Sequence, residues 1–248
     1  YLIILTNIRF FCSILSSSLI SGFSVAEACT MNVNVKKDSS CFTSQSTVQL
    51  SSGIEKAMKD LVIGDEILTY TFQGARIPTK ILTFIHQDPG HIGQYYTITT
   101  EDGNAILISA THLIFKVNEV TLTFQSVFAS RLKPGDFIFV QSQTTHDPTP
   151  VKVVRVSIAL YEGAFAPVTS EGTLIVDGVW VSCYADISDH RLAHSLMAPL
   201  RFLYSVAPKW MGSRGPFIHK HLKNMFRPFG VRLLGKETFY DMIQTNEI

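Results

Sequence analysis

The chain is predicted to be all-β, with two pseudo-symmetric β subdomains followed by a basic, partly helical tail. From Thr47 to about Asp186, short β-branched or aromatic runs alternate with turn signals, and helical periodicity is scarce over the same stretch. A block of sequence also recurs: Lys59-Asp-Leu-Val-Ile-Gly64-Asp65-Glu-Ile-Leu68 returns as Ser130-Arg-Leu-Lys-Pro-Gly135-Asp136-Phe-Ile-Phe139. Each copy is followed by a second strand-like run, Lys80–Ile85 and Lys152–Val156, and then by a hairpin signal, Asp102-Gly103 and Glu171-Gly172. The outgoing strand leads to Ser109–His112 in one copy and to Ser182-Cys183 in the other. Duplication explains three matches in the same order. It predicts a shared cleft, with His112 and Cys183 at near-equivalent positions facing it.

The 248 residues suit one good-sized domain plus a tail, or two small domains. A hydrophobic content of 46% with 17% charge excludes a disordered chain, and a net charge of +1 names no partner. The chain opens on Tyr1 rather than Met, as a fragment would. Residues 10–28 form a hydrophobic leader preceded by Arg9 and closed by Ala26-Glu27-Ala28, the small-residue pattern of a secretory signal cleaved before Cys29. A short membrane anchor is the alternative, which the Ser16-Ser17-Ser18 run opposes. Loss of that leader removes Cys12 and leaves Cys29, Cys41 and Cys183, an odd count that fits a reactive thiol better than a disulfide framework. Strand-like runs follow at Val48–Leu50, Glu66–Phe72, Tyr95–Thr100 and Ala105–Ile108. Beyond Asp189 the character changes: residues 190–236 hold nine Lys or Arg and no Asp or Glu, interleaved with aromatics. Ser195–Ser205 groups its apolar residues as a helix would, with Pro199 tolerable only near the helix start. Such a segment suits a membrane surface or a lipid, or a solvated tail with a few packed helices. No nucleic-acid motif supports a nucleic-acid partner.

Chemistry gathers at Cys41, with Ser109 and His112 about seventy residues on. A cysteine opening a strand-rich domain, with a hydroxyl and an imidazole on one later strand, can serve as a self-acylating thiol. Ser109 and His112 lie three apart, so a kink or bulge must aim both inward. The same residues also read as a half-buried cysteine and a satisfied histidine in a β domain.

The order of these blocks resembles the Hint (Hog) domain of hedgehog proteins, most like a diverged or Hog-only nematode relative. The likeness runs from Cys41 to about Tyr204 and rests on Cys41-Phe-Thr-Ser, Asp60-Leu-Val-Ile-Gly-Asp65, Ser109-Ala-Thr-His112-Leu, Glu171-Gly-Thr, Ser182-Cys183-Tyr-Ala, Leu192-Ala-His194 and Ala198-Pro-Leu-Arg201. The resemblance implies self-cleavage at Ser40-Cys41: the Cys41 thiol attacks the Ser40 carbonyl, an amide becomes a thioester, and a lipid or sterol-like alcohol or water resolves it. It implies that His112 serves the scissile amide, that Ser109 stands where the family has threonine, and that Cys183 is a second thiol near the first. It places His86 where the family has the aspartate that activates the acceptor, with Asp88 as a fallback carboxylate. Ser40 replaces the family's glycine, and its side chain can crowd the tetrahedral intermediate. The implied organisation is a leader at 1–28, a pre-cleavage segment at 29–40, an autoprocessing domain at 41–189 and an adduct- or membrane-recognition tail at 190–248, secreted and acting in cell–cell signalling, with no cofactor.

A catalytically silent Hint scaffold that binds membrane lipid through its basic tail is the competing class. An intein is disfavoured because no His-Asn dipeptide occurs. His190 and His194, at i, i+4 beside Asp189, could suggest a metal helix, but no third ligand accompanies them and packing is the preferred role.

Overall fold

The computed structural model describes residues 41–206. These form β1 (Thr47–Gln49), β2 (Glu55–Ala57), β3 (Glu66–Tyr70), β4 (Arg76–Thr100), β5 (Ala105–Ile108), β6 (His112–Val117), β7 (Phe124–Phe128), β8 (Phe137–Gln141), β9 (Pro148–Thr169), β10 (Thr173–Val176) and β11 (Val179–Ala185), then α1 (His190–Leu196) and α2 (Ala198–Val206). The fold is all-β up to the two short helices. The long strands β4 and β9 run antiparallel from Ile81↔Thr169 to Thr100↔Val153 and carry both halves of the molecule. One sheet has the order β10-β11-β6-β8-β9-β4-β3, with β5 added on β4 and β7 on β6, while β1 and β2 pair separately.

The sequence repeat is a structural repeat. Each copy begins with a 3₁₀ turn, Met58–Asp60 or Ala129–Arg131, and reaches a glycine in the left-handed region, Gly64 at φ 95° or Gly135 at φ 97°. The following aspartate closes each turn: Asp65 accepts from Val62 N–H at 2.9 Å and Asp136 from Lys133 N–H at 3.0 Å. Gly64 N–H then donates to the Ile81 carbonyl and Gly135 N–H to that of Val153, both at 2.8 Å. Matching apolar residues (Leu61 and Leu132, Ile67 and Ile138, Ile81 and Val153) meet in one buried core with Phe42. Each large side chain taken out of water there contributes roughly 1.5–3 kcal/mol.

Three details depart from the sequence reading. The runs at 80–85 and 95–100 belong to one strand, because β4 continues through Asp88-Pro89-Gly90 rather than turning there. Pro89 brings no N–H to the ladder, and the chain absorbs it as a register shift between Asp88↔Ala164 and Ile92↔Glu162. Ser109 and His112 do not share a strand: β5 ends at Ile108, β6 starts at His112, and a tight turn closed by His112 N–H to the Ser109 carbonyl (3.2 Å) presents both. His112 and Cys183 are not equivalent either. His112 opens β6, whereas Cys183 lies within β11, which starts at Val179.

After β11, the Asp189 carboxylate caps α1 by accepting from Leu192 N–H at 2.8 Å. Pro199 falls in the first turn of α2, where its missing N–H costs nothing. Among the described residues no helix is long and apolar enough to cross a membrane. The leader at 1–28, the segment 29–40 with Ser40, and the tail from 207 onward lie outside the described residues.

Candidate active site

Phe42 anchors the N-terminal end of the described chain. Its N–H donates to the Phe165 carbonyl at 2.8 Å and its carbonyl accepts from Phe165 N–H at 3.0 Å, which ties it to β9, and a bridge to Ile108 ties it to β5. Its ring is fully buried and meets the His112 ring with centroids 4.4 Å apart. Cys41, one residue earlier, is therefore held in fixed relation to β5, β6 and β9. Cys41 is 1% exposed and packs with Ala164, Ala166 and Ile85. Gly163 sets the neighbouring backbone. It sits at φ 87°, and a Cβ there would fall 1.9 Å from Ser44 Oγ, so only glycine lets β9 approach the Cys-Phe segment this closely.

Ser109 and His86 each place a polar atom on Cys41, and the His112 ring packs on the adjacent Phe42. The Cys41 backbone N–H donates to Ser109 Oγ at 2.8 Å, while Ser109 N–H donates to the Cys41 carbonyl at 3.1 Å, so one residue grips both sides of Cys41. That nitrogen belongs to the Ser40–Cys41 peptide bond. The Cys41 sulfur lies 3.4 Å from His86 Nδ1, within reach for proton exchange between thiol and imidazole. His112, fully buried, places Nε2 2.9 Å from the Ser182 carbonyl oxygen. A carbonyl only accepts, so Nε2 carries the proton; Nδ1 then accepts in the neutral ring and donates in the imidazolium. His86 owes its place to β4: a register shift between Phe84 and His86 puts it opposite Ala166, next to the thiol.

The other candidates lie elsewhere or serve differently. Cys183 sits in the main core, 2% exposed, with its sulfur 3.4 Å from Thr169 Oγ1. Burial pushes its thiol up to about 11, against the partial help of the Thr169 hydrogen bonds. Asp88 is half-buried in the β4 bulge, where Oδ1 accepts from Gly90 N–H at 3.2 Å. His190 and His194 stack at 5.6 Å, but His190 Nδ1 is 2.8 Å from Ser182 Oγ and His194 Nε2 accepts from the Arg201 guanidinium at 2.9 Å. A guanidinium in that position repels a metal cation, and among the described residues no three His, Cys, Asp or Glu could hold one. Sequence reading overlooked Ser182, whose backbone oxygen orients His112. Its only signal was its place beside Cys183 in the Ser-Cys-Tyr-Ala block.

The Hint module family model matches residues 30–227. The chain belongs to the Hint module family. This Hint chain is 34% identical over 215 residues to the Tiggy-winkle hedgehog protein of Danio rerio, a match covering 83% of the chain and 51% of that protein. It is 39% identical over 175 residues to the Sonic hedgehog protein of Xenopus laevis, covering 69% of the chain and 39% of that protein. With the Drosophila melanogaster hedgehog protein it shares 33% identity over 190 residues, covering 73% and 40%. The matched region thus spans from about two fifths to about half of these hedgehog proteins. In fold, the crystal structure of a mutant Ssp DnaB mini-intein is similar, with a TM-score of 0.50 and 17% identity over 63% of this chain and 97% of that one.

Proposed function

We propose that this Hint module cuts its own backbone between Ser40 and Cys41 by a cysteine-dependent N–S acyl shift, as the thioester-forming half of hedgehog-type autoprocessing. The observation that carries the reading is the pairing of Ser109 Oγ with the Cys41 amide nitrogen and of His86 Nδ1 with the Cys41 sulfur. Polar groups thus sit on the atom that leaves and on the atom that attacks. His86 accepts the thiol proton, the sulfur attacks the Ser40 carbonyl carbon, and the carbonyl π electrons move onto oxygen. Collapse of that intermediate re-forms the carbonyl and breaks the C–N bond. The leaving nitrogen takes a proton from His112, whose charged ring the Ser182 carbonyl stabilises through Nε2–H. Ser109 keeps its hydrogen bond to that nitrogen throughout. Holding the groups in place supplies much of the rate, since an amide is a poor electrophile with a poor leaving group.

A lipid or sterol-like alcohol, or water, then attacks the thioester carbonyl. His86, having returned its first proton to solvent, takes the acceptor's proton, and sulfur leaves as the new C–O bond forms. The acceptor arrives, on this reading, by way of the helices: Leu196, Phe202, Leu203 and Val206 expose an apolar surface on α1 and α2, at the edge of the basic stretch 190–236. Secretion through the 1–28 leader and a role in cell–cell signalling complete the proposal. The same apolar surface would serve a catalytically silent lipid-binding scaffold, which predicts vesicle binding without cleavage. The test is the fate of the full chain during expression and storage. Cleavage after Ser40 that disappears in Cys41→Ala and in His112→Ala supports the acyl shift, and cleavage that persists in Cys41→Ala eliminates it.

A further inference from the structure

Strand β11 departs from regular pairing with β6 where it passes the candidate site. Val181 pairs with Ile114 and Ala185 with His112, so residues 182–184 form a bulge. Within that bulge the Ser182 carbonyl accepts from His112 Nε2–H. The bulge is held from the other side. Ser182 Oγ accepts from Tyr184 N–H at 2.9 Å and lies 2.8 Å from His190 Nδ1 on α1. Ser182, His190 and His112 are each at most 3% exposed. His190 is itself fixed, since its N–H donates to Ser126 Oγ at 3.0 Å and its ring packs on Phe72, Phe115 and Tyr184. One helical turn on, His194 repeats the arrangement with Tyr184, Nδ1 lying 3.0 Å from the Tyr184 hydroxyl, which also accepts from Arg201 of α2 at 3.0 Å. Two histidines of one helix face thus dock on two residues of one strand face.

The geometry points to Ser182 and His190 as positioning residues for His112, through which helix α1 sets the aim of the imidazole that serves the scissile amide. This rests on the acyl-shift reading above. Neither side chain is placed on the reacting atoms. Ser182 presents its carbonyl to the ring, and His190 holds the Ser182 hydroxyl so that the bulge keeps its shape. Without His190 Nδ1, the hydroxyl can rotate, the bulge can relax toward regular pairing, and the His112 ring loses its fixed acceptor. The helices that would meet the acceptor are then mechanically joined to the first chemical step as well as the second.

The test compares His190→Ala, His190→Asn and Ser182→Ala in the full chain. Asparagine places an amide atom where histidine holds Nδ1, so it restores the bond to Ser182 Oγ without the ring. Dithiothreitol-induced release after Ser40 is expected to slow about tenfold to a hundredfold in His190→Ala and Ser182→Ala, part of the roughly 10²–10⁴ that a positioned acid supplies. His190→Asn is expected to recover most of that rate. In ¹⁵N spectra the His112 Nε2–H signal should shift and exchange faster in the two alanine variants only. Wild-type release and an unmoved His112 signal in His190→Ala overturn the proposal. So does an asparagine variant as slow as the alanine one, which would assign His190 to packing alone. If the wild-type chain releases nothing, the acyl-shift reading fails, and the His112 signal alone then decides whether Ser182 and His190 orient the ring.

Discussion

Replacing Ser109 with alanine removes one oxygen from a site where both partners are buried, Cys41 at 1% and Ser109 at 2% exposure. In the folded precursor the loss leaves the Cys41 N–H without the acceptor now 2.8 Å away. A buried donor stripped of its partner costs about 1–3 kcal/mol, which lowers the unfolding midpoint by roughly 2–12 °C for a chain of this size. The reaction loses something further. As the C–N bond breaks and the nitrogen gains a proton, its hydrogen bond to Ser109 changes from neutral to charge-assisted. Such bonds are worth about 1.5–3 kcal/mol against about 0.5–1.5 for neutral ones. The difference, about 1–1.5 kcal/mol, exists only in the transition state and corresponds to roughly a tenfold loss of rate. Ser109→Thr keeps the oxygen and should keep most of the rate. The assay is the time course of dithiothreitol-induced release followed by intact-mass spectrometry, run well below both midpoints so that unfolding does not contribute. An alanine variant that is destabilised yet releases at the wild-type rate would refute the argument that Ser109 acts on the leaving nitrogen.

Three other outcomes follow from the same geometry. His86→Ala should slow release by water or an alcohol by about a hundredfold, as expected for loss of a general base, and should slow thiol-induced release less, because a thiolate acceptor needs no base; equal losses in the two assays would remove His86 from the resolving step. Cys183→Ala should release at the wild-type rate and lose about 1–2 kcal/mol of stability to the small cavity it leaves, since burial holds that thiol protonated with a pKa of about 11; loss of release in a folded Cys183→Ala protein would restore it to the reaction. Acidification should weaken the fold through His190, which burial and the neighbouring charges depress from 6.5 to about 3. The unfolded chain then binds the proton first, so this contribution is intact above pH 6.5 and is lost by up to about 1.4 kcal/mol per unit as pH falls toward 3. Urea midpoints between pH 7 and 4 should flatten in His190→Gln, and an unchanged slope would contradict the assignment.

What could be read from the sequence was local. Gly64-Asp65 and Gly135-Asp136 announce themselves because a left-handed glycine followed by a capping carboxylate is a residue-specific solution to a turn, and from that pair the duplicated β architecture followed. Cys41, Ser109 and His112 stood out because a thiol, a hydroxyl and an imidazole are the side chains such chemistry needs, whereas His86 came only from its place in the family resemblance. Their mutual geometry could not be read, because it depends on which strand faces which. The continuity of β4 through Pro89 was hidden, since Asp-Pro-Gly is ordinarily a turn and only the length of β9 alongside carries the strand across it. The bulge at Ser182 was hidden for a different reason: every residue has a carbonyl, so nothing in the sequence marks the one that orients His112. Cys183 entered as a second thiol through the family resemblance, and its position inside β11 gives it a core environment.

The central claim is that Cys41 takes the acyl group of Ser40. It is tested most directly by adding dithiothreitol to the folded 248-residue chain and measuring the masses that appear. The account predicts a fragment ending at Ser40 that carries one dithiothreitol as a thioester, a partner fragment beginning at Cys41, and neither in Cys41→Ala. An intact chain after prolonged exposure, with the fold retained, or the same two fragments from Cys41→Ala, would contradict it.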